Sequence, residues 1–224
     1  SLSLPAPFFY PISKRPKLTR QRNLTEMTRF ILLRHGQTDW NVERRYQGQA
    51  DIRLNSVGVE QAHKAAEALK DEKIDVVYSS DLSRALDTAR AVLKYHAGTE
   101  WIVDPLLRER AFGELEGTFY QRDLLNPTVR NQIDQDPYGY RFENGGESLR
   151  DVYARAENAY RKISDESPDK TVLVVSHGTF LSLFMVILKG LPISARKDFV
   201  VENAAPIFVG PNGETDPKIM AQPK

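Results

Sequence analysis

Two short stretches concentrate the reactive chemistry of this sequence: Arg34-His35-Gly36 and Ser176-His177-Gly178. Each closes an apolar run, Phe30 to Leu33 in the first case and Val172 to Val175 in the second. A third run, Asp75 to Tyr78, leads into Ser79-Ser80-Asp81, with Arg84 one helical turn further on. Two imidazoles and two guanidiniums suit a phosphoryl group. Arginine binds phosphate oxygens through charge-assisted, often bidentate, hydrogen bonds. A neutral imidazole is a nucleophile that can form a covalent intermediate. Phosphoryl transfer passes through a loose transition state, stabilised by positioning and by positive charge around the equatorial oxygens. Arg34, Arg84, the second imidazole and backbone N–H groups at a helix start after His177 supply that charge. The departing alkoxide needs a proton, which a carboxylic acid can donate, and Glu109 is available for it. This chemistry calls for no metal and no cofactor. The remaining histidines, His63 and His96, fall at surface positions of predicted helices and receive no role.

The elements that must hold these residues alternate in type. Phe30 to Leu33 is continuously apolar, as in a strand buried on both faces. Ala62, Ala65, Ala66 and Leu69 recur at helical spacing, and so do Leu82, Ala85, Leu86, Ala89 and Leu93, with Asp81 as the expected N-cap. Val152, Ala156, Ala159, Tyr160 and Ile163 mark a third helix, opened by a capping box from Ser148 to Asp151. Thr171 to Ser176 is the strongest strand, followed by an apolar helix from about Thr179 to Leu188. Alternating strands and helices imply a three-layer α/β/α sandwich with a central, mostly parallel mixed sheet flanked by helices. In such sheets ligands bind beyond the carboxyl ends of the strands. The histidines stand there, each followed by a glycine that would let the backbone approach a ligand closely. Residues 117–146 are the least periodic part and are expected to form a lid inserted into a catalytic domain spanning 28–224.

Composition removes other classes. The 224 residues contain no cysteine, so disulfide scaffolds, thiolate metal sites and cysteine nucleophiles are excluded. With 31 Lys+Arg against 30 Asp+Glu, nothing global calls for nucleic acid or a membrane surface. The most apolar run, Phe180 to Leu188, is far shorter than the ~20 residues of a membrane span. Residues 1–27 differ from the rest: Lys14, Arg15, Lys17, Arg20 and Arg22 face Glu26 alone. They are expected to be a basic leader, disordered or added, with organelle targeting as the alternative.

The order of these blocks resembles the phosphoglycerate mutase-like branch of the histidine phosphatase superfamily. The resemblance runs through Leu32-Leu33-Arg34-His35-Gly36, Tyr46-Gln47-Gly48, Leu54-Asn55, Tyr78-Ser79-Ser80-Asp81-Leu82, Leu107-Arg108-Glu109, Phe112-Gly113, Gly145-Gly146-Glu147-Ser148 and Val174-Val175-Ser176-His177-Gly178. It implies that His35 is the nucleophile that becomes phosphohistidine. It implies that Arg34, Arg84 and His177 form the phosphate pocket and that Glu109 is the acid–base carboxylate, with Asp81 the competing donor. Asn41 and Gly178 would join the pocket, Gln47-Gly48 would be a turn against the substrate, and Thr38 and Thr179 sit at more variable positions. Glu114 and Glu116 would be structural neighbours of the acid. The resemblance further implies a cytoplasmic enzyme acting on a small phosphorylated substrate; nothing indicates its oligomeric state. Residues 117–146 contain no lysine and no adjacent arginines, which favours a phosphatase over a 2,3-bisphosphoglycerate-dependent mutase. A catalytically silent binding module is the third class, disfavoured because every chemical role is filled. Tyr120, Tyr138 and Tyr140 in the lid are expected to set substrate identity.

Overall fold

The computed structural model describes residues 28–121 and 125–215. The expected basic leader therefore lies outside the described residues. Five strands form one sheet in the order β3-β2-β4-β1-β5, where β1 is Arg29–Arg34, β2 Val76–Ser79, β3 Glu100–Val103, β4 Thr171–Ser176 and β5 Pro206–Val209. All neighbours are parallel except β1 and β5, which run antiparallel with Phe30 opposite Val209. The sheet is mixed and mostly parallel, as the alternation of elements implies.

Successive side chains of a strand face opposite sides of a sheet, and both sides are covered here. Ile31, Leu33, Val77, Leu173 and Val175 pack under α2 (Ser56–Leu69) and α3 (Ser83–Leu93), where Ala62, Ala66, Ala85 and Ala89 allow close approach. Phe30, Leu32, Tyr78, Val172 and Val174 pack under α5 (Leu149–Glu166) and α6 (Gly178–Leu188). These central strands are buried on both faces, which is why they read as unbroken apolar runs. Two further helices lie outside the sandwich, α1 (Asp39–Val42) and α4 (Pro127–Gln135), the latter inside the 117–146 segment.

The helix starts follow local capping with one correction. Ser148 and Asp151 form the expected reciprocal box at α5. Asp81 is not the cap of α3: Leu82 stands at that position, and Asp51 reaches across to accept from the Ser83 amide and hydroxyl. Asp81 is instead drawn into a two-pronged pair with Arg108 at 2.7 and 2.5 Å. His63 is exposed on α2, whereas His96 lies beyond the end of α3 and contacts the Leu69 carbonyl at 3.0 Å. Among the described residues, no helix is long and apolar enough to cross a membrane.

Candidate active site

Strand register assembles the site. β1 and β4 are parallel, with Arg34 beside Ser176, so the next residue of each strand emerges beside the other. His35 and His177 are those residues, with ring centroids 5.2 Å apart. β2 flanks β4 on its other side, and the Ser80 amide bonds to the Val175 carbonyl at 3.0 Å. That contact sets the Ser80 hydroxyl 2.9 Å from His177 Nε2. α3 begins just after β2 and carries Arg84, which is fully buried.

Hydrogen bonds distinguish the two rings. His35 Nδ1 lies 2.6 Å from the Gly36 carbonyl oxygen. A carbonyl can only accept, so this nitrogen carries the proton and Nε2 keeps its lone pair. Ser80 Oγ accepts from the Leu82 amide at 3.3 Å, and among the described residues its buried hydroxyl proton has His177 Nε2 alone as an acceptor. The proton of neutral His177 is then on Nδ1. One ring presents a nucleophilic lone pair and the other a donor.

Both histidines are held well below the ordinary imidazole range, chiefly by burial. For each, the next cause is the Arg84 guanidinium. Both are therefore neutral at physiological pH. A base with a depressed folded pKa binds fewer protons folded than unfolded, so stability falls as pH drops below the unfolded value of about 6.5. Each such histidine costs up to about 1.4 kcal/mol per pH unit across that window. Urea midpoints should fall from pH 6.5 to 5.5, and His177→Asn should make the decline shallower; identical slopes in the two proteins would contradict the neutral assignment.

The arginines are gripped at one end and open at the other. Arg34 Nη1 donates to the Val201 carbonyl at 2.8 Å. Arg84 donates to the carbonyls of Ala50 (2.7 Å) and Gly48 (2.8 Å). Burial lowers Arg84 to about 10, which keeps it charged at neutral pH. Among the described residues, four buried side-chain polar atoms have no hydrogen-bond partner: Arg34 Nε, Arg84 Nε, His177 Nδ1 and Gln47 Oε1. Orphaned buried donors are costly and rare. Here three of them belong to the residues that sequence assigned to a phosphate pocket.

Glu109 occupies the start of α6. Its carboxylate accepts from the amides of Thr179 (3.0 Å), Phe180 (3.3 Å) and Arg110 (2.8 Å). The helix amides expected to face a phosphate thus hold this carboxylate at Thr179 and Phe180. The Glu109 charge opposes the effect of burial on Arg34 and Arg84. The competing donor, Asp81, is held below the usual carboxylate range, first by its hydrogen bond to Arg108. In this structure it is the ion-pair partner of Arg108.

The remaining expected residues divide by role. Asn41 closes a capping box with Thr38, its Oδ1 accepting from the Thr38 amide at 3.0 Å and hydroxyl at 3.1 Å. Thr38 is fully buried in that role. Gly48 adopts a left-handed φ of 54°, and any side chain there would strike Glu116. Glu116 ties the same turn down by accepting from the Gln49 and Ala50 amides at 2.9 Å. At Gly36 a side chain would collide with the Gly58 carbonyl of α2, so its smallness serves helix packing. Gly178 lies against the Arg34 guanidinium. Among the described residues, no group of three or more His, Asp or Glu is placed to hold a metal ion.

Sequence reasoning missed what supports Glu109. Arg155 on α5 pairs with Glu147 through Nε (3.0 Å) and Nη2 (2.8 Å). It also donates to the carbonyls of Leu106 (2.8 Å), Arg108 (2.7 Å) and Glu109 (3.2 Å). One guanidinium therefore fixes the segment carrying Glu109. Removing one member of a mostly buried ion pair strands the other. Arg155→Met should cost about 3 kcal/mol, seen as a lower urea midpoint at unchanged slope. Arg155→Lys should not restore it, because a lysine cannot reproduce the fork; full recovery with lysine would reduce Arg155 to a point charge.

A mixed α/β/α sandwich with paired histidines at its carboxyl edge defines one class of fold. The chain belongs to the histidine phosphatase superfamily, branch 1, whose family model matches residues 30–216. It is 38% identical over 150 residues to phosphoglycerate mutase-like protein 4 of Arabidopsis thaliana, covering 66% of this chain and 65% of the relative. It is 37% identical over 159 residues to a metal-independent phosphoserine phosphatase of the same plant, covering 70% and 67%. The chain thus spans about two thirds of the length of these relatives. Among solved structures, a mycobacterial glucosyl-3-phosphoglycerate phosphatase in complex with VO3 superposes with a TM-score of 0.71 at 34% identity, covering 81% of this chain and 92% of that one.

Proposed function

We propose that this protein hydrolyses phosphomonoesters of small metabolites through a phosphohistidine intermediate, without a metal. The observation that carries this reading is the set of orphaned buried donors, Arg34 Nε, Arg84 Nε and His177 Nδ1, around the unprotonated Nε2 of His35. A phosphoryl dianion supplies the acceptors they lack. His35 Nε2 attacks phosphorus, the P–O ester bond breaks, and the Glu109 carboxyl protonates the departing alkoxide. Water then attacks the phosphohistidine, Glu109 takes its proton, the N–P bond breaks and inorganic phosphate leaves. The phosphatase names of relatives support the reading, and so does one relative's being named metal-independent.

Burial holds His35 below the ordinary imidazole range, so its Nε2 lone pair is available in mildly acidic solution. The direct test is hydrolysis of p-nitrophenyl phosphate in excess chelator, where sustained release of nitrophenol and phosphate is expected. A second reading, the bisphosphoglycerate-dependent mutase, draws support from Arg110, Arg196 and Lys197, which line one cavity. Conversion of 3-phosphoglycerate to 2-phosphoglycerate primed by 2,3-bisphosphoglycerate, faster than any hydrolysis, would replace the hydrolase by the mutase.

A further inference from the structure

Beside the phosphate pocket lies a cavity of about 310 Å³. Two chain segments connect them. Arg110 and Tyr46 both line the cavity; Arg110 directly follows Glu109, and Tyr46 directly precedes the Gln47-Gly48 turn. The cavity size matches a small organic group at the lower end of ligand pockets.

Its lining has two unlike components. One is aromatic: Tyr46, Phe112 and Phe142 form a contiguous cluster with ring centroids 4.8 to 6.3 Å apart, and Tyr138 and Tyr120 complete the surface. Tyr140, the third lid tyrosine expected to face substrate, packs on Phe142 outside the lining. The other component is cationic. Arg110 lies over the rings of Phe112 and Phe142 at 5.3 and 5.1 Å. Its Nε and Nη2 are fixed by the carbonyls of Glu147 (2.7 Å) and Tyr140 (3.2 Å), and Nη1 has no acceptor among the described residues. Arg196 and Lys197 enter from the stretch after α6, and among the described residues neither has a carboxylate partner. Burial pulls Arg110 below the ordinary guanidinium range, and the next cause is the like charge of Arg196. Two guanidiniums that line one aromatic cavity and repel each other are stabilised by an anion that pairs with both.

We infer that this cavity selects phosphomonoesters whose alcohol portion joins a planar or apolar body to a second anionic group, the body lying on the aromatic rings and the anion held by Arg110 and Arg196. This rests on the phosphohydrolase reading. Lys197, at the exposed rim, adds charge without fixing position. A guanidinium–carboxylate contact of this kind contributes tenfold or more in specificity, on the order of what a charged hydrogen bond provides.

Four esters test the inference: phenyl phosphate against 4-carboxyphenyl phosphate, and glycerol 3-phosphate against 3-phosphoglycerate. The carboxylated member of each pair is expected to have a kcat/KM about tenfold higher or more, and the phenyl pair to exceed the glycerol pair. Arg196→Gln and, separately, Arg110→Met should each reduce the carboxylate preference to within about threefold, as a ratio that global changes in activity do not move. Calorimetric binding of the same esters to His35→Ala protein measures the preference without turnover. Equal kcat/KM and equal Kd within both pairs would overturn the inference and leave the phosphatase reading standing. A preference in Kd with no hydrolysis of any ester by the wild-type protein would overturn the phosphatase reading and leave the anion-selective cavity standing. An unchanged preference in both variants would overturn the assignment to Arg110 and Arg196.

Discussion

Replacement of His35 by Ala is expected to lower kcat by about 10⁴-fold or more, the scale of losing a nucleophile in covalent catalysis. Affinity for phosphate should change far less. The three orphaned donors come from Arg34, Arg84 and His177, and each is held by contacts that do not involve the His35 ring. The loss therefore falls in kcat, and inorganic phosphate should inhibit mutant and wild type at similar concentrations if binding is read independently. Wild-type protein quenched during turnover should carry a phosphoryl group that is labile in acid and stable in base, as a phosphoramidate is, and the mutant should carry none. The mutant also loses one buried neutral imidazole, so its stability should decline less steeply below about pH 6.5. Retention of hydrolysis within tenfold of wild type would mean that water attacks phosphorus directly and that His35 only orders the pocket.

The meeting of the two histidines was legible in the sequence because their carriers are the simplest elements to recognise. β1 and β4 are buried on both faces, so their apolar runs end where the buried sheet ends, at Arg34-His35 and Ser176-His177. Adjacent parallel strands then bring those ends together with no further information. β3 and β5 were not legible. Each has four residues, and β5 begins with Pro206, which a sheet accepts at the first position of an edge strand but which discourages a strand reading. Asp81 shows a local rule losing to a tertiary one: a cap contributes about 1 kcal/mol, and a two-pronged arginine pair at a partly buried site competes with it. The supports of the site are hidden for a related reason. Ser80 meets His177, Arg155 meets Glu147 and the Glu109 carbonyl, and Arg110 meets Arg196 only through the folded chain. No periodicity records such meetings, and a serine or arginine on its own is most often a surface residue.

The Glu109 carboxylate has two roles that one substitution can separate. It accepts three backbone amides at the start of α6, and it is the proposed proton donor. Glu109→Gln keeps one acceptor oxygen, which can still face the Arg110 and Phe180 amides. The new NH2 group then confronts the Thr179 amide, and loss of that bond should cost about 1–3 kcal/mol of stability. A purely structural role would slow all substrates alike. The acid role would not, because p-nitrophenolate leaves without a proton and an alkoxide does not. Hydrolysis of alkyl phosphates should fall by about 10² to 10⁴, the range of general acid catalysis, and formation of phosphohistidine from p-nitrophenyl phosphate by less than about tenfold. The second step tells the roles apart again. Water attacking phosphohistidine needs Glu109 as base, so the mutant should release a burst of nitrophenol equal to the enzyme and then stall with the phosphoryl group on His35. A uniform loss across leaving groups with no burst would leave Glu109 as the cap of α6 alone. The acid would then have to be sought elsewhere, and Asp81 could take that role only by giving up both hydrogen bonds to Arg108.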